Sequence, residues 1–225
     1  MIELAVLDIA GTTVEEHQAV YVALEDAVRA AGADPTVADI QRWMGADKRE
    51  AIGGLLGVDP SSMDNAVDDA VNRTLADFRT RLAAAYAANP PHLLPGVRDA
   101  LGKLRANGIK VALTTGFDRG VTDSLLAVVG VDETIVDTVV CVDDVAAGRP
   151  APYMIFHAME RTGVRDVSRV LTAGDTVRDL EAGTNAGAGI VVGVLSGGLD
   201  ATALGAVRHT HLLPSVADLP ELLGL

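Results

Sequence analysis

Short apolar runs recur through this chain, each closed by a polar cluster and followed by a stretch of helical periodicity. The runs occupy residues 4–7, 109–113, 139–142, 169–173 and 190–195. They lack the in-out alternation of a half-exposed strand, so each reads as a strand buried on both faces. Between them, residues 95–106, 119–129, 153–162 and 177–186 repeat apolar positions at helical spacing. A last short strand at 211–213 and a helix at 216–223 follow. Strand and helix in regular alternation mean βαβ units, hence a parallel sheet with helices on both faces. Such a sheet gathers the carboxyl ends of its strands along one edge, where open α/β sheets bind ligands.

One stretch breaks the alternation. Residues 15–91 contain no convincing strand. Val20, Leu24 and Val28, with Ala27 and Ala31, give a helix over 15–31, stopped at Gly32. Asp34-Pro35-Thr36 opens a shorter helix through Trp43. Asp47 caps a helix to Leu56, with Gly57 as its end. Pro60 marks a turn, and Ser61 or Ser62 caps a long helix from Met63 to Ala88, stopped by Asn89-Pro90-Pro91. Trp43 and Met44 read as packing, and the acidic residues at 64–69 as a solvated helix face. The expected architecture is α/β: a doubly wound parallel-sheet core at 1–14 and 92–225, with an all-helical domain at 15–91 inserted after the first strand.

A chain of 225 residues with 49% apolar but 3% aromatic side chains must build its core from Ala, Val and Leu. The net charge of −13 speaks against nucleic acid or an anionic membrane as partner, since both require a basic face. An anionic small substrate needs only a local positive site. Cys141 is the sole cysteine, so no disulfide forms within the chain, and its apolar neighbours mark it as a small buried hydrophobe. No segment approaches 18 consecutive apolar residues, and the N-terminus lacks a basic region. The expectation is a soluble cytoplasmic protein.

The strand ends carry the chemistry. Asp8 closes the first run, and Gly11-Thr12-Thr13 then turn the chain so that backbone N–H groups can face an anion. Thr114-Thr115-Gly116 closes the second, at an expected helix start that would cradle an anion or simply cap the helix. Arg149, between Gly148 and Pro150, is either an exposed loop residue or the cation that lets two anions approach. Asp175 and Asp179 lie four apart across the entry to a helix. By themselves they read equally well as a cap and a solvated face. With Asp8 they make three carboxylates that would repel one another without a cation. Mg²⁺ suits such a set, since it takes few carboxylates and completes its shell with water and substrate oxygens.

Asp8-x-x-Gly-Thr, Thr114, Arg149 and Gly174-Asp175-x-x-x-Asp179 resemble, in order and place, the four motifs of haloacid dehalogenase-superfamily phosphohydrolases. Asp8-Ile-Ala-Gly-Thr-Thr-Val and Gly148-Arg149-Pro-Ala-Pro-Tyr-Met154 are similar to the phosphonatase (phosphonoacetaldehyde hydrolase) branch. The resemblance covers essentially the whole chain. It implies a Rossmann-like core with a helical C1-type cap, and Asp8 as a nucleophile forming an aspartyl-phosphate. It implies Mg²⁺ on Asp8, the Ala10 carbonyl, Asp175 and Asp179. Gly11, Thr12, Thr114 and Arg149 would hold the phosphoryl group, with Thr115 and Gly116 beside them. A homodimer formed through the cap is implied as well.

Two departures bear on the substrate. Ala10 stands where related phosphomonoesterases carry a carboxyl that protonates the leaving alkoxide. General acid catalysis contributes about 10²–10⁴-fold, so this chain should be a poor esterase or cleave a bond that needs no acid there. In phosphonatases a cap lysine forms a Schiff base with the aldehyde. Met44-Gly45-Ala46-Asp47-Lys48 resembles that pattern, yet Ala51 stands where the family has a histidine. Lys48 therefore reads as a Schiff-base lysine, a substrate-binding cation or a surface lysine. His17 and Gln18, just after the first motif, line the pocket or are solvated at a helix start. Three functions follow from these residues: a phosphonatase-like hydrolase, a phosphatase or phosphotransferase on a small phosphate ester, and a non-catalytic phospholigand-binding protein.

Overall fold

A computed structural model describes residues 1–59 and 65–225. The chain divides into two compact units, one of residues Met1–Glu15 and Pro91–Leu225, the other of Glu16–Pro90.

The larger unit holds a six-stranded sheet in the order β5-β4-β1-β6-β7-β8, parallel throughout. Its first strand, β1 (Leu4–Asp8), is buried along its whole length. A two-residue strand, β2 (Val14–Glu15), pairs antiparallel with β3 (His92–Leu93), away from the main sheet. The helix α5 (Val97–Ala106) leads into β4 (Lys110–Thr115), and α6 (Arg119–Val129) into β5 (Thr138–Cys141). After α7 (Tyr153–Thr162) come β6 (Val170–Gly174), α8 (Val177–Ala186) and β7 (Ile190–Val194). Two short helices, α9 (Ala201–Gly205) and α10 (Leu219–Leu222), flank the edge strand β8 (His211–Leu213).

Register places the site. Asp8 sits opposite Thr114 of β4, and Leu7 opposite Ala173 of β6. Side chains alternate across a strand, so Leu4 and Val6 share one face of β1. They join Ala112, Val140 and Val170 under Met154, Ile155 and Ala158 of α7 and Ala182 and Ala186 of α8. With nothing larger than Met in this cluster, the helices sit close to the sheet. Cys141 is fully buried at the end of β5, where burial raises its thiol pKa, as its reading as a core hydrophobe requires.

The helical unit comprises α1 (Ala19–Ala30), α2 (Val37–Arg42), α3 (Lys48–Leu56) and α4 (Asn65–Ala88). α1 packs on α4; Val20, Leu24 and Val28 of α1 and Val71, Phe78 and Leu82 of α4 are buried. The Trp43 ring covers Gly54, where a Cβ would meet it at 1.9 Å. Arg49 joins α3 to α4 by ion-pairing with Asp68 and donating to Asn72 Oδ1 at 2.6 Å. Asp68 thus bridges two helices while its side chain stays about half exposed, as a solvated helix face allows. The turn at Pro60, the Ser61 or Ser62 cap and the helix start at Met63 lie outside the described residues.

Several boundaries differ from expectation. The first helix begins at Ala19 and not near residue 15, because His17 and Gln18 have φ of 59° and 57° and cannot continue a helix. Neither β2 nor β3 is visible in the sequence, since two residues carry no periodicity. α9 was not anticipated, and 216–223 resolves into a 3₁₀ turn followed by α10. No helix among the described residues is long and apolar enough to cross a membrane.

Candidate active site

Asp8, Thr114 and Asp175 arrive at one sheet edge because β1, β4 and β6 are neighbours that end together. Asp179 reaches the same point from the first turn of α8. There Thr176 is the N-cap, and Thr176 and Asp179 form a reciprocal capping box. Asp175 is therefore not the cap, and neither carboxylate lies on a solvated face: Asp175 is 2% and Asp179 8% exposed. One carboxylate oxygen from each of Asp8, Asp175 and Asp179 lies within 4.8 Å of the others.

Arg149 is buried beside them and is no exposed loop residue. Its Nη1 donates to Asp8 Oδ1 at 2.7 Å and also to Asp179 Oδ1. The loop that carries it is tied to α8. Arg178 donates to the Arg149 carbonyl at 3.1 Å, and Asn185 to the Pro150 carbonyl at 2.9 Å.

A family model of haloacid dehalogenase-like hydrolases matches residues 2–187. The chain belongs to this family. A phosphonoacetaldehyde hydrolase of Syntrophobacter fumaroxidans is 31% identical over 208 residues, 88% of this chain and 74% of that protein. A phosphonoacetaldehyde hydrolase of Paraburkholderia xenovorans is 29% identical over 183 residues, 79% of this chain and 68% of that protein. The crystal structure of a phosphonoacetaldehyde hydrolase-like protein from Oleispira antarctica superposes with a TM-score of 0.81 at 26% identity, covering 99% of this chain and 91% of that one. A β-phosphoglucomutase from Clostridium difficile has a TM-score of 0.81 at 17% identity, over 97% of this chain and 93% of that one, and shares the fold.

In this haloacid dehalogenase-like hydrolase the carboxylates repel. Burial pushes the Asp8 carboxyl up to about 6, with the Arg149 charge opposing and the Asp179 charge adding. Burial, followed by the charges of Asp8 and Asp179, holds Asp175 well above the usual range. Burial works against the Arg149 charge, but Asp179 and Asp8 outweigh it and keep the guanidinium protonated. Fully ionised, three carboxylates against one guanidinium would carry a double negative charge in a buried site. A divalent cation fits that deficit and an all-oxygen donor set.

Two glycines make room for Asp175. A Cβ on Gly197 would stand 1.8 Å from Asp175 Oδ2, and one on Gly11 2.6 Å from it. Gly11 also has φ of 81°, which a side chain would strain. Ser196 Oγ donates to the Gly11 carbonyl at 2.8 Å, joining the loop after β7 to the turn after β1. In the sequence Ser196-Gly197-Gly198 marks no more than the end of a strand, because nothing local signals a contact across the sheet edge.

Two expected anion cradles are arranged differently. The turn after Asp8 uses its own N–H groups: Gly11 donates to Val14 O at 2.9 Å, and Thr12 and Thr13 donate to Ile9 O at 3.3 and 2.9 Å. The Thr12 hydroxyl donates to Asp175 Oδ1 at 3.1 Å. Gly11 and Thr12 thus shape and hold a carboxylate. Thr114-Thr115-Gly116 does not start a helix. α6 begins at Arg119 under an Asp118 cap, and Thr115 Oγ1 accepts from the Phe117 N–H at 3.1 Å. Thr114 keeps its place beside Asp8 in the register.

Lys48, His17 and Gln18 belong to the helical unit. Lys48 opens α3, is only 7% exposed, and donates from Nζ to the Ala46 carbonyl at 2.9 Å. It is not a surface lysine. Ala51 is fully buried one turn on. His17 and Gln18 are exposed in the left-handed backbone before α1, and so stand outside the helix they were expected to start.

Proposed function

We propose that this hydrolase is a cytoplasmic, Mg²⁺-dependent phosphonatase-like enzyme. It cleaves the C–P bond of phosphonoacetaldehyde or a related small phosphonate through an aspartyl-phosphate on Asp8. The observation that carries the reading is Asp8 itself: a buried carboxylate at a strand end, held at 2.7 Å by Arg149, with an alanine two residues on. Asp8, Asp175, Asp179 and the Ala10 carbonyl would hold Mg²⁺. When bound, the ion neutralises charge so that two anions can meet. An Asp8 oxygen attacks phosphorus as the bond to the leaving group breaks, and water then hydrolyses the acyl phosphate to regenerate Asp8. Arg149 offsets the anionic charge, and the Thr114 hydroxyl is the donor for a phosphoryl oxygen.

The leaving group distinguishes the readings. Ala10 offers no proton, so an alkoxide would depart without help. A carbanion alpha to an imine needs none, because the iminium takes up the electron pair. Lys48, on the proposed cap at 15–91, would form that imine, and its burial fits a lysine kept from bulk water. The relatives named phosphonoacetaldehyde hydrolase support this reading. The second reading, a phosphatase or phosphotransferase on a small ester, is favoured by Ala51, where the resemblance calls for a proton-handling histidine. A homodimer through the cap belongs to the same resemblance and is checked by sedimentation.

Borohydride reduction in the presence of phosphonoacetaldehyde should trap an adduct on Lys48, lost in Lys48→Arg. Phosphate release from a panel of esters should be weak, and should rise roughly 10-fold or more in Ala10→Asp if the missing acid limits it. Fast ester turnover without a Lys48 adduct would select the second reading.

A further inference from the structure

Two buried polar atoms behind the site have no hydrogen-bond partner among the described residues: Arg149 Nε and Thr172 Oγ1. Both residues line one cavity of about 20 Å³ beneath the loop that carries Arg149. Its apolar walls include Val6, Met154 and Ala182, and Thr114 and Asp179 are the other polar residues lining it. Thr172 is the only polar side chain in β6, whose sequence is Val-Leu-Thr-Ala-Gly. A valine would fill the same volume. Gly183 of α8 lies over the hydroxyl, where a Cβ would meet Oγ1 at 2.2 Å. The helix therefore leaves space for an oxygen that has no hydrogen-bond partner among the described residues.

We propose that Thr172 is a positioning residue for Arg149, acting through one ordered water held between its hydroxyl and the Arg149 Nε–H. The inference rests on the role proposed above for Arg149. The space suffices, since one water needs roughly 10–15 Å³ and two to four polar partners. The guanidinium has a donor on the water side and Nη1 on the carboxylate side. Fixing Nε sets the rotation of its plane, and with it the direction from which Nη1 meets Asp8 and Asp179. The two Nη1 contacts act at one end of the guanidinium only and restrain that rotation less than a third contact at Nε does.

The experiment combines crystals with kinetics on the full chain. Density for a water bridging Arg149 Nε and the residue-172 hydroxyl is expected in the parent and in Thr172→Ser, and not in Thr172→Val. With Mg²⁺, phosphate release from phosphonoacetaldehyde, or from p-nitrophenyl phosphate if that is the better substrate, should fall in kcat by roughly 10-fold in Thr172→Val. That is within the ~10²-fold that a 1 Å misplacement can cost. KM should change less than about 2-fold and Thr172→Ser should recover most of the loss, as expected of a defect in orientation. In an Arg149→Lys background, which has no Nε–H, Thr172→Val should add nothing. Parental kcat in Thr172→Val, or an equal loss in both backgrounds, overturns the proposal, as does a cavity without bridging density. Full activity of Arg149→Lys alone would instead overturn the function proposed for Arg149, while the crystal still decides the water.

Discussion

Asp175 is held by what surrounds it more than by its own conformation. The Thr12 hydroxyl bonds one oxygen, and the bare backbones of Gly11 and Gly197 stand against the other. Gly197→Ala would drive a methyl into Oδ2 and turn the carboxylate away from Asp8 and Asp179. We expect this variant to keep its far-UV circular dichroism, lose most of the thermal shift produced by Mg²⁺, and release phosphate at least ~10²-fold more slowly. An unchanged magnesium-induced shift would mean that Asp175 does not contribute to the metal set. The four charged residues at this scale were legible because strand ends announce themselves: Asp8, Arg149, Asp175 and Asp179 each follow or flank an apolar run. Gly197 was not, since its importance is a distance of 1.8 Å to a side chain from another strand.

Among the elements, α8 does the most for the site. Its capping box presents Asp179, Arg178 and Asn185 tie down the Arg149 loop, and Gly183 opens space over Thr172. The box has a dual use: Asp179 Oδ2 accepts from the Thr176 N–H at 3.1 Å while Oδ1 meets Arg149. Thr176→Ala should cost about 1 kcal/mol, or roughly 2–4 °C in thermal midpoint for a chain of this size. It should lower phosphate release by more than that loss of stability explains, because it frees a site carboxylate. Thr176→Ser should restore both, and activity that merely tracks the melting curve would refute the dual role. Most elements could be read from periodicity, α3, α6, α7 and α8 nearly to the residue. What misled was competition between neighbours of the same chemical type. Thr114 and Thr115 looked like a helix cap, yet Asp118 three residues on takes that position. Thr176 likewise displaced Asp175 as the cap of α8.

For the molecule as a whole, the site sets how stability responds to pH. Without metal, Asp8 titrates near 6 in the folded chain against 3.8 for an ordinary aspartate, and Asp175 is raised too. The folded state therefore binds more protons than the unfolded one across that interval, and these groups lose stabilisation as pH rises through it. Asp137 and Asp144, whose pKa values are lowered, pull the opposite way. The difference with and without metal isolates the site. Millimolar Mg²⁺ should raise the melting temperature clearly at about pH 7.5 and little at about pH 5, where protons hold the carboxylates. An equal rise at both values would place the ion elsewhere.

The strand order has one more consequence, for the chain as it is made. β1 leaves the ribosome before both of its partners, residues 110–114 and 170–173. Until residues 170–173 have emerged, Leu4–Asp8 has at least one open edge, apolar and ready to pair with the wrong neighbour. Asp8 is thus synthesised well before the strands that house it. A nascent chain ending before Asp175 lacks one of the three clustered carboxylates, so the cluster forms only once β6 has been made.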